Sequence, residues 1–355
     1  MSEERLPDQA PGAPHPRAVF DLFGHGGAEA ALADALAAGR LHHAWMLTGP
    51  PGVGKATLAY RFARRYLGAA PLPGGSPLAT SPDDPVARKI AAGAYPDLRT
   101  ATRLDPTEGK VRRDVVVEAV RELTTFFELR ADNALGRRVG IVDCADDMSV
   151  NAANALLKTL EEPPPGGLII LVVNSPGAIL RTIRSRCRVL KLAPLTEREM
   201  GAAVPYSDPM VRAMARGCPG RAVSLAALDA GGVYRKLSAY LSGLPRAPLA
   251  DGLALADLAA ASPEKTDLVF ELLADWLDRS AHAGLGLPSR EIEPGESAGQ
   301  ARLVLAAGPG AVAEAHQQVM RLWRATGGVN LDRAGAVLEA LRAVRSALAP
   351  AAAAA

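Results

Sequence analysis

Aromatic residues are scarce in this chain. Six Phe, six Tyr and three Trp make up 4% of 355 residues, although 48% of the chain is hydrophobic. Its cores must therefore rest on small and aliphatic side chains, which favours helices packed through alanine and leucine. Cysteine is scarcer still. Cys144, Cys187 and Cys218 stand far apart, which excludes a paired disulfide framework and a CxxC zinc site. Neither charge sign dominates: 40 Lys and Arg against 38 Asp and Glu leave +2. That balance argues against a wholesale nucleic-acid coat, which needs many phosphate contacts, and leaves room only for a local basic patch. Long hydrophobic runs are missing too. Stretches such as Leu168 to Val173 are far too short to span a bilayer. Without a basic, apolar leader at its start, the chain is expected to be a soluble protein of the reducing cytoplasm.

What is present is a regular alternation of elements. Residues 1–17, rich in proline at their start, read as a flexible arm. Small apolar residues recur at helical spacing from Ala28 to Ala38, and Gly39 ends the run. Trp45 to Thr48 reads as a buried strand and Thr57 to Leu67 as a helix. Gly68 to Asp84, full of Gly, Pro, Ala and Ser, reads as an irregular surface excursion. A helix over Val115 to Phe127 follows, then strand 139–142, helix 149–160, strand 168–173, a helical turn at Ile179 to Ser185 and a strand at Cys187 to Leu192. Short apolar strands separated by helices predict an α/β unit with a parallel sheet covered on both faces. After Pro194 a small helical module begins, with Thr196 and Glu199 spaced as a capping box. From about Val233 the pattern is helical almost throughout, broken near 243–247, 285–297 and 308–310.

One loop carries the chemistry. Gly49-Pro50-Pro51-Gly52-Val53-Gly54-Lys55 lies between a strand and a helix, the setting in which such a loop wraps nucleotide phosphates with backbone N–H groups and a lysine. Ala56 stands where Ser or Thr would bind Mg²⁺. Thr57 is no simple substitute, because one helical step turns a side chain by about 100°. Strand 139–142 leads into Asp143, a metal-side aspartate able to hold magnesium only through water, and Cys144 follows where a water-activating carboxylate would serve. Asp146 is a weak understudy for that carboxylate and reads better as an N-terminal helix cap before Val150. ATP or ADP binding without efficient hydrolysis, with Mg²⁺ weak or absent, is the expectation. A second feature is the arginine-dense run Arg181-Thr182-Ile183-Arg184-Ser185-Arg186-Cys187-Arg188. It reads either as a solvated rim or as the source of a guanidinium offered across a subunit boundary.

With Leu41-His42-His43-Ala44 before the loop, Val142-Asp143-Cys144-Ala145-Asp146-Asp147-Met148, and Asn151-Ala152-Ala153-Asn154-Ala155-Leu156-Leu157-Lys158-Thr159-Leu160-Glu161-Glu162-Pro163-Pro164, the chain resembles the delta-prime clamp-loader subunits of bacterial DNA polymerase III, within the AAA+ ATPases. The resemblance is strong over about 18–225. It implies an AAA+ P-loop domain at 18–193, a helical lid at 194–230 and an all-helical collar at 235–348. It also implies that Arg186 is an arginine finger acting in trans, that Asn174 is a first sensor, and that Arg221 is a second sensor on the lid. The implied partners are the gamma/tau ATPase subunits and the delta subunit. Through them the chain would meet the beta sliding clamp, primer–template DNA and the polymerase III core, and no membrane. Family members commonly carry a four-cysteine zinc module after the P-loop helix. Gly68 to Arg99 holds no cysteine, so no zinc and no other structural metal is expected. Two other readings stay open: an active AAA+ ATPase, against which Ala56 and Cys144 count, and a stand-alone DNA-binding or regulatory module. Arg112, Arg113 and Arg121 are candidate DNA contacts no stronger than solvated helix-face residues.

Overall fold

The computed structural model describes residues 6, 8–326 and 332–349. The chain divides into two units, Met1–Ser207 with Ala215–Ser224, and Asp208–Met214 with Leu225–Ala355. The first unit runs α1 (Gly26–Ala37), β1 (Ala44–Thr48), α2 (Lys55–Tyr66), α3 (Pro85–Ala91), β2 (Leu98–Ala101), α4 (Val117–Glu128), β3 (Arg138–Val142), α5 (Val150–Glu161), β4 (Gly167–Val173), α6 (Arg181–Arg184), β5 (Arg188–Lys191) and α7 (Glu197–Ala203). Helices α8 (Pro209–Ala215) and α9 (Pro219–Ala227) straddle the division between the units. The strands form one sheet in the order β2-β3-β4-β1-β5, every neighbouring pair parallel. Central β4 reads as an unbroken apolar run because both of its faces are buried.

Alternation along β1 sorts its side chains between two layers. Ala44 and Met46 join the core beneath α4 and α5, with Val120, Leu123, Phe127, Leu156 and Leu160. Trp45 faces the other way and meets the edge of Phe62 from α2, ring centroids 6.5 Å apart. One strand position is glycine for a steric reason. A Cβ on Gly140 would lie 2.8 Å from Phe127 Cε2 and 2.9 Å from Leu123 Cδ1, so α4 packs directly on the bare backbone of β3.

The sequence reading and the structure part in several places. Val115 and Val116 do not start α4. Val115 pairs as an isolated parallel bridge with Met148, which suits an extended β-branched run. Helix α3 and strand β2 were not anticipated. The α3 signal is local: Asp84 caps it by accepting from the Val86 and Ala87 N–H groups, and Pro85 opens it. The segment 68–84 is not merely a surface excursion, because Leu78, Ala79 and Thr80 are buried, and Ser76 joins the buried Arg61–Glu29 pair that ties α2 to α1. In the arm, residues 1–5 and 7 lie outside the described residues. Near its end, Arg17 offers its carbonyl to the fully buried Arg64, which also donates to the Val19 carbonyl just beyond, and buried His15 pairs with Asp8 at 3.0 Å. The capping box at Thr196 and Glu199 forms as expected. Among the described residues no helix is long and apolar enough to cross a membrane.

The second unit is helical: α10 (Ala230–Ser242), α11 (Leu249–Ala260), α12 (Pro263–Gly284), α13 (Glu296–Ala307), α14 (Pro309–Thr326) and α15 (Arg333–Ala347). A buried polar knot joins three of these helices. Arg279 of α12 binds Asp275 at 2.8 Å, Glu296 of α13 at 2.6 Å and the Tyr234 hydroxyl of α10 at 2.6 Å. Residues 350–355 lie outside the described residues.

Gly140→Ala separates packing from propensity. Replacing a strand glycine is ordinarily neutral or favourable, yet here the added methyl overpacks Phe127 and Leu123. Denaturant unfolding should show a loss of about 1–3 kcal/mol. Unchanged or increased stability would mean that α4 yields to the methyl at no cost.

Candidate functional site

Because all strands are parallel, the loops after β1, β3 and β4 emerge along one edge, the usual place for a ligand site in such sheets. β1, buried along its whole length, delivers Gly49 to Gly54 into α2. Four carbonyls of the loop are engaged. Lys55, nearly inaccessible, donates through Nζ to the Gly49 and Pro50 carbonyls, both at 2.7 Å. His25 Nε2 donates to the Val53 carbonyl at 2.8 Å. The Gly220 N–H donates to the Gly52 carbonyl at 2.9 Å. Gly52 has φ +75°, and a Cβ there would sit 2.5 Å from the Arg221 backbone nitrogen. The main chain of the candidate second sensor thus packs directly against Gly52 of the loop.

Asp143 and Cys144 follow β3 on the same edge. The Cys144 N–H donates to Asp143 Oδ1 at 3.0 Å, and Cys144 adopts the left-handed conformation at φ 52°. Burial, reinforced by the charge of Asp8, holds the Asp143 carboxyl up at about 6. Burial draws the Lys55 ammonium down to about 8, opposed by Asp143 and then Asp146. Burial and the charge of Asp143 push the Cys144 thiol up to about 12. A thiol so hard to ionise cannot serve as a general base near neutrality. Ala56, half-buried at the second position of α2, offers no oxygen to a metal. Asn174, just past β4, comes to the same place: its Nδ2 lies 3.9 Å from Cys144 Sγ.

Asp146 does something other than the expected capping. Ser149 is the N-cap of α5, accepting from the Ala152 N–H. Asp146 instead accepts from the Asn174 and Ser175 N–H groups at 3.0 and 2.9 Å. It therefore fixes the turn that carries Asn174, with both carboxylate oxygens engaged, and is not placed as a spare base. Serine three residues before the Ala152 N–H was the overlooked cap signal.

Arg186 is not brought to this cluster. It lies at the N-terminal side of β5, and the parallel register Trp45↔Arg188 sets it beside the start of β1. The P-loop is at the opposite edge, separated by the length of β1, on the order of 15 Å. Arg186 Nη2 pairs with Glu161 Oε1 at 2.8 Å, and Nη1 donates to the Thr182 carbonyl at 2.9 Å. Arg112 is committed to the acidic side chains of Asp105 and Glu108, at 3.2 and 2.6 Å.

Asp143 makes a pH prediction. Its carboxyl titrates higher in the folded protein than in the unfolded chain. Between about pH 4 and 6 the folded state then binds the extra proton, so this contribution favours folding below pH 4 and is lost as pH rises through 6. In nucleotide-free and metal-free buffer, Asp143→Asn should remove that decline and raise stability at pH 7 by about 3 kcal/mol. Parallel stability–pH curves for the two proteins would contradict it.

Comparison with known proteins converges on one family. The family DNA polymerase III, delta subunit matches residues 24–196. The DNA polymerase III subunit delta' of Pseudomonas aeruginosa is 37% identical over 153 residues, 43% of this chain and 43% of that protein. The delta' subunit of Escherichia coli is 35% identical over 195 residues, 53% of this chain and 55% of that protein. The tau/gamma subunit of Haemophilus influenzae is 29% identical over 218 residues, 58% of this chain and 29% of that protein. The chain thus spans about half the length of the delta' relatives it matches. Over residues 24–196 the chain belongs to the bacterial DNA polymerase III clamp-loader subunit family, the delta-prime, gamma and tau group.

Proposed function

We propose that this chain is a delta-prime-type clamp-loader subunit of the cytoplasm, a largely non-hydrolysing stator whose chemical contribution is made in a neighbour's ATP site. The observation that carries this reading is the separation of Arg186 from the chain's own P-loop by the depth of the sheet. A guanidinium in that position is out of reach of phosphates held at Gly49 to Lys55, and it lies at the surface, where an adjoining subunit can present its nucleotide. Arginine donors of this kind stabilise charge on the transferring phosphoryl group.

The chain's own site supports the other half of the reading. Whether ATP or ADP occupies the loop or not, efficient turnover lacks its parts. Ala56 supplies no magnesium ligand, the Cys144 thiol stays protonated, and Asp146 is spent on the Asn174 turn. Asn174 and Arg221 remain as sensor positions able to report occupancy. In this reading the gamma/tau ATPase subunits and the delta subunit are the direct partners. The beta sliding clamp, primer–template DNA and the polymerase core are reached through them. The helices of 194–230 act as a lid, and those of 235–348 as a collar that holds the ring.

The test is DNA-stimulated ATP turnover by the loader reconstituted with its own partner subunits. Arg186→Ala should leave folding and ring assembly intact and lower turnover by about tenfold or more, while the isolated chain hydrolyses no ATP above background. Unchanged turnover and clamp loading with the variant would remove Arg186 from the reaction. Magnesium-dependent hydrolysis by the isolated chain, abolished by Lys55→Ala, would overturn the stator role.

A further inference from the structure

An arginine finger works only if its guanidinium is already in place, because holding a long flexible side chain in one geometry costs rotamer entropy. Arg186 is gripped from two sides. Its Nη1 donates to the Thr182 carbonyl at 2.9 Å and approaches Ser185 Oγ at 3.4 Å, both on the preceding turn. Its Nη2 pairs with Glu161 Oε1 at 2.8 Å. Of the five guanidinium N–H groups, these contacts engage at most three, so at least two are left for phosphate oxygens.

Glu161 is an odd residue for its place. It closes α5, where the helix dipole disfavours an acidic side chain, and Glu162 beside it adds a second one. Local preference would put Lys or Arg there. The ion pair is too exposed to add much stability, with the two side chains 36% and 50% accessible. A locally unfavourable carboxylate that contributes little to stability, yet grips this arginine, is best explained by what it does to the arginine.

The end of α5 is held in turn. His43 Nε2 donates to the Leu160 carbonyl at 3.0 Å, satisfying one of the orphan acceptors of the helix terminus. His43 stacks on His42 with ring centroids 4.4 Å apart, and His42 Nδ1 accepts from the Ala44 N–H at 3.1 Å. The Ile169 N–H donates to the His43 carbonyl at 2.8 Å, joining this segment to β4. Pro163 and Pro164 follow Glu162 and stop the helix from extending. The carboxylate therefore stands on a platform fixed to the central strands.

We propose that Glu161 is the positioning residue for Arg186, and that His43 holds the helix end from which Glu161 acts. The proposal rests on the reading of Arg186 as a donor in trans, and it deepens that reading by assigning how the donor is held. Glu161 is a brace, so its removal slows the neighbour's chemistry. Were it a clasp that competes with phosphate for the guanidinium, removal would speed that chemistry.

The experiment measures ATP dependence of DNA-stimulated turnover in the reconstituted loader for Glu161→Ala, Glu161→Gln, Arg186→Ala and the double variant Glu161→Ala/Arg186→Ala. Glu161→Ala should lower kcat by about fivefold with little change in KM for ATP. Glu161→Gln keeps an acceptor oxygen and should retain at least about half of the wild-type rate. The double variant should be no slower than Arg186→Ala alone, since a brace has nothing to do once the arginine is gone. His43→Ala should reproduce the Glu161→Ala defect, again without effect when Arg186 is absent. A Glu161→Ala loader as fast as wild type or faster, or one that adds its own loss to that of Arg186→Ala, overturns the proposal while leaving the finger role standing. An Arg186→Ala loader with unchanged turnover overturns the finger role, and the brace with it.

Discussion

The constraint on which the rest of the structure depends is the parallel pairing of β1 with β4 on one side and β5 on the other. Parallel strands share a direction, so everything that follows them emerges on one edge and everything that precedes them lies on the other. The P-loop, Asp143 and Asn174 follow β1, β3 and β4. Arg186 precedes β5, and the end of α5 precedes β4. Two chemically distinct clusters are thus built on one sheet, and no rotamer of Arg186 can merge them. The apolar layers on both faces keep that register fixed, because a slip by one residue would exchange Trp45 and Met46 between the α2 face and the α4–α5 face.

Electrostatics differ at the two edges. At the P-loop edge Lys55 and Asp143 are buried, and burial moves each toward its neutral form. The lysine satisfies its donors on its own loop. Such a site is costly to charge. At the other edge Arg186 is partly exposed and paired with a partly exposed carboxylate, so its charge stays available to a partner. The missing hydroxyl at Ala56 and the protonated thiol at Cys144 belong to the first edge, while the arginine of the second keeps at least two guanidinium N–H groups unengaged by Thr182, Ser185 and Glu161.

Much of this was legible in the sequence, and the failures have physical causes. The glycine loop lies in its strand–helix setting as read, because Gly, Lys and flanking apolar periodicity report local backbone geometry directly. The strands at 138–142 and 167–173 and the breaks between the late helices were equally local signals. Short β2 was missed because it is an edge strand of four residues with an exposed, mixed pattern. Asp146 was misread because its partners, Asn174 and Ser175, are 28 and 29 residues away, and a helix-start context supplied a nearer use for it. Gly140 gave no signal of the Phe127 ring and Leu123 side chain packed on it. Arg186 was singled out through a motif, but nothing in the sequence placed Glu161 against it, since that contact depends on how α5 returns across the sheet. Periodicity and capping report neighbours along the chain, whereas positioning contacts come from topology.

The central claim of the proposal is that Arg186 of this chain faces phosphate in a neighbour's ATP site. A photoreactive ATP analogue with its reactive group on the γ-phosphate tests this directly, by mapping which peptide of the chain becomes labelled. The account predicts labelling within 181–188 only when the chain is assembled with its ATPase partners, and none at that segment in the isolated chain. Labelling confined to the Gly49–Thr57 peptide in the assembled loader, with 181–188 unlabelled, would contradict it.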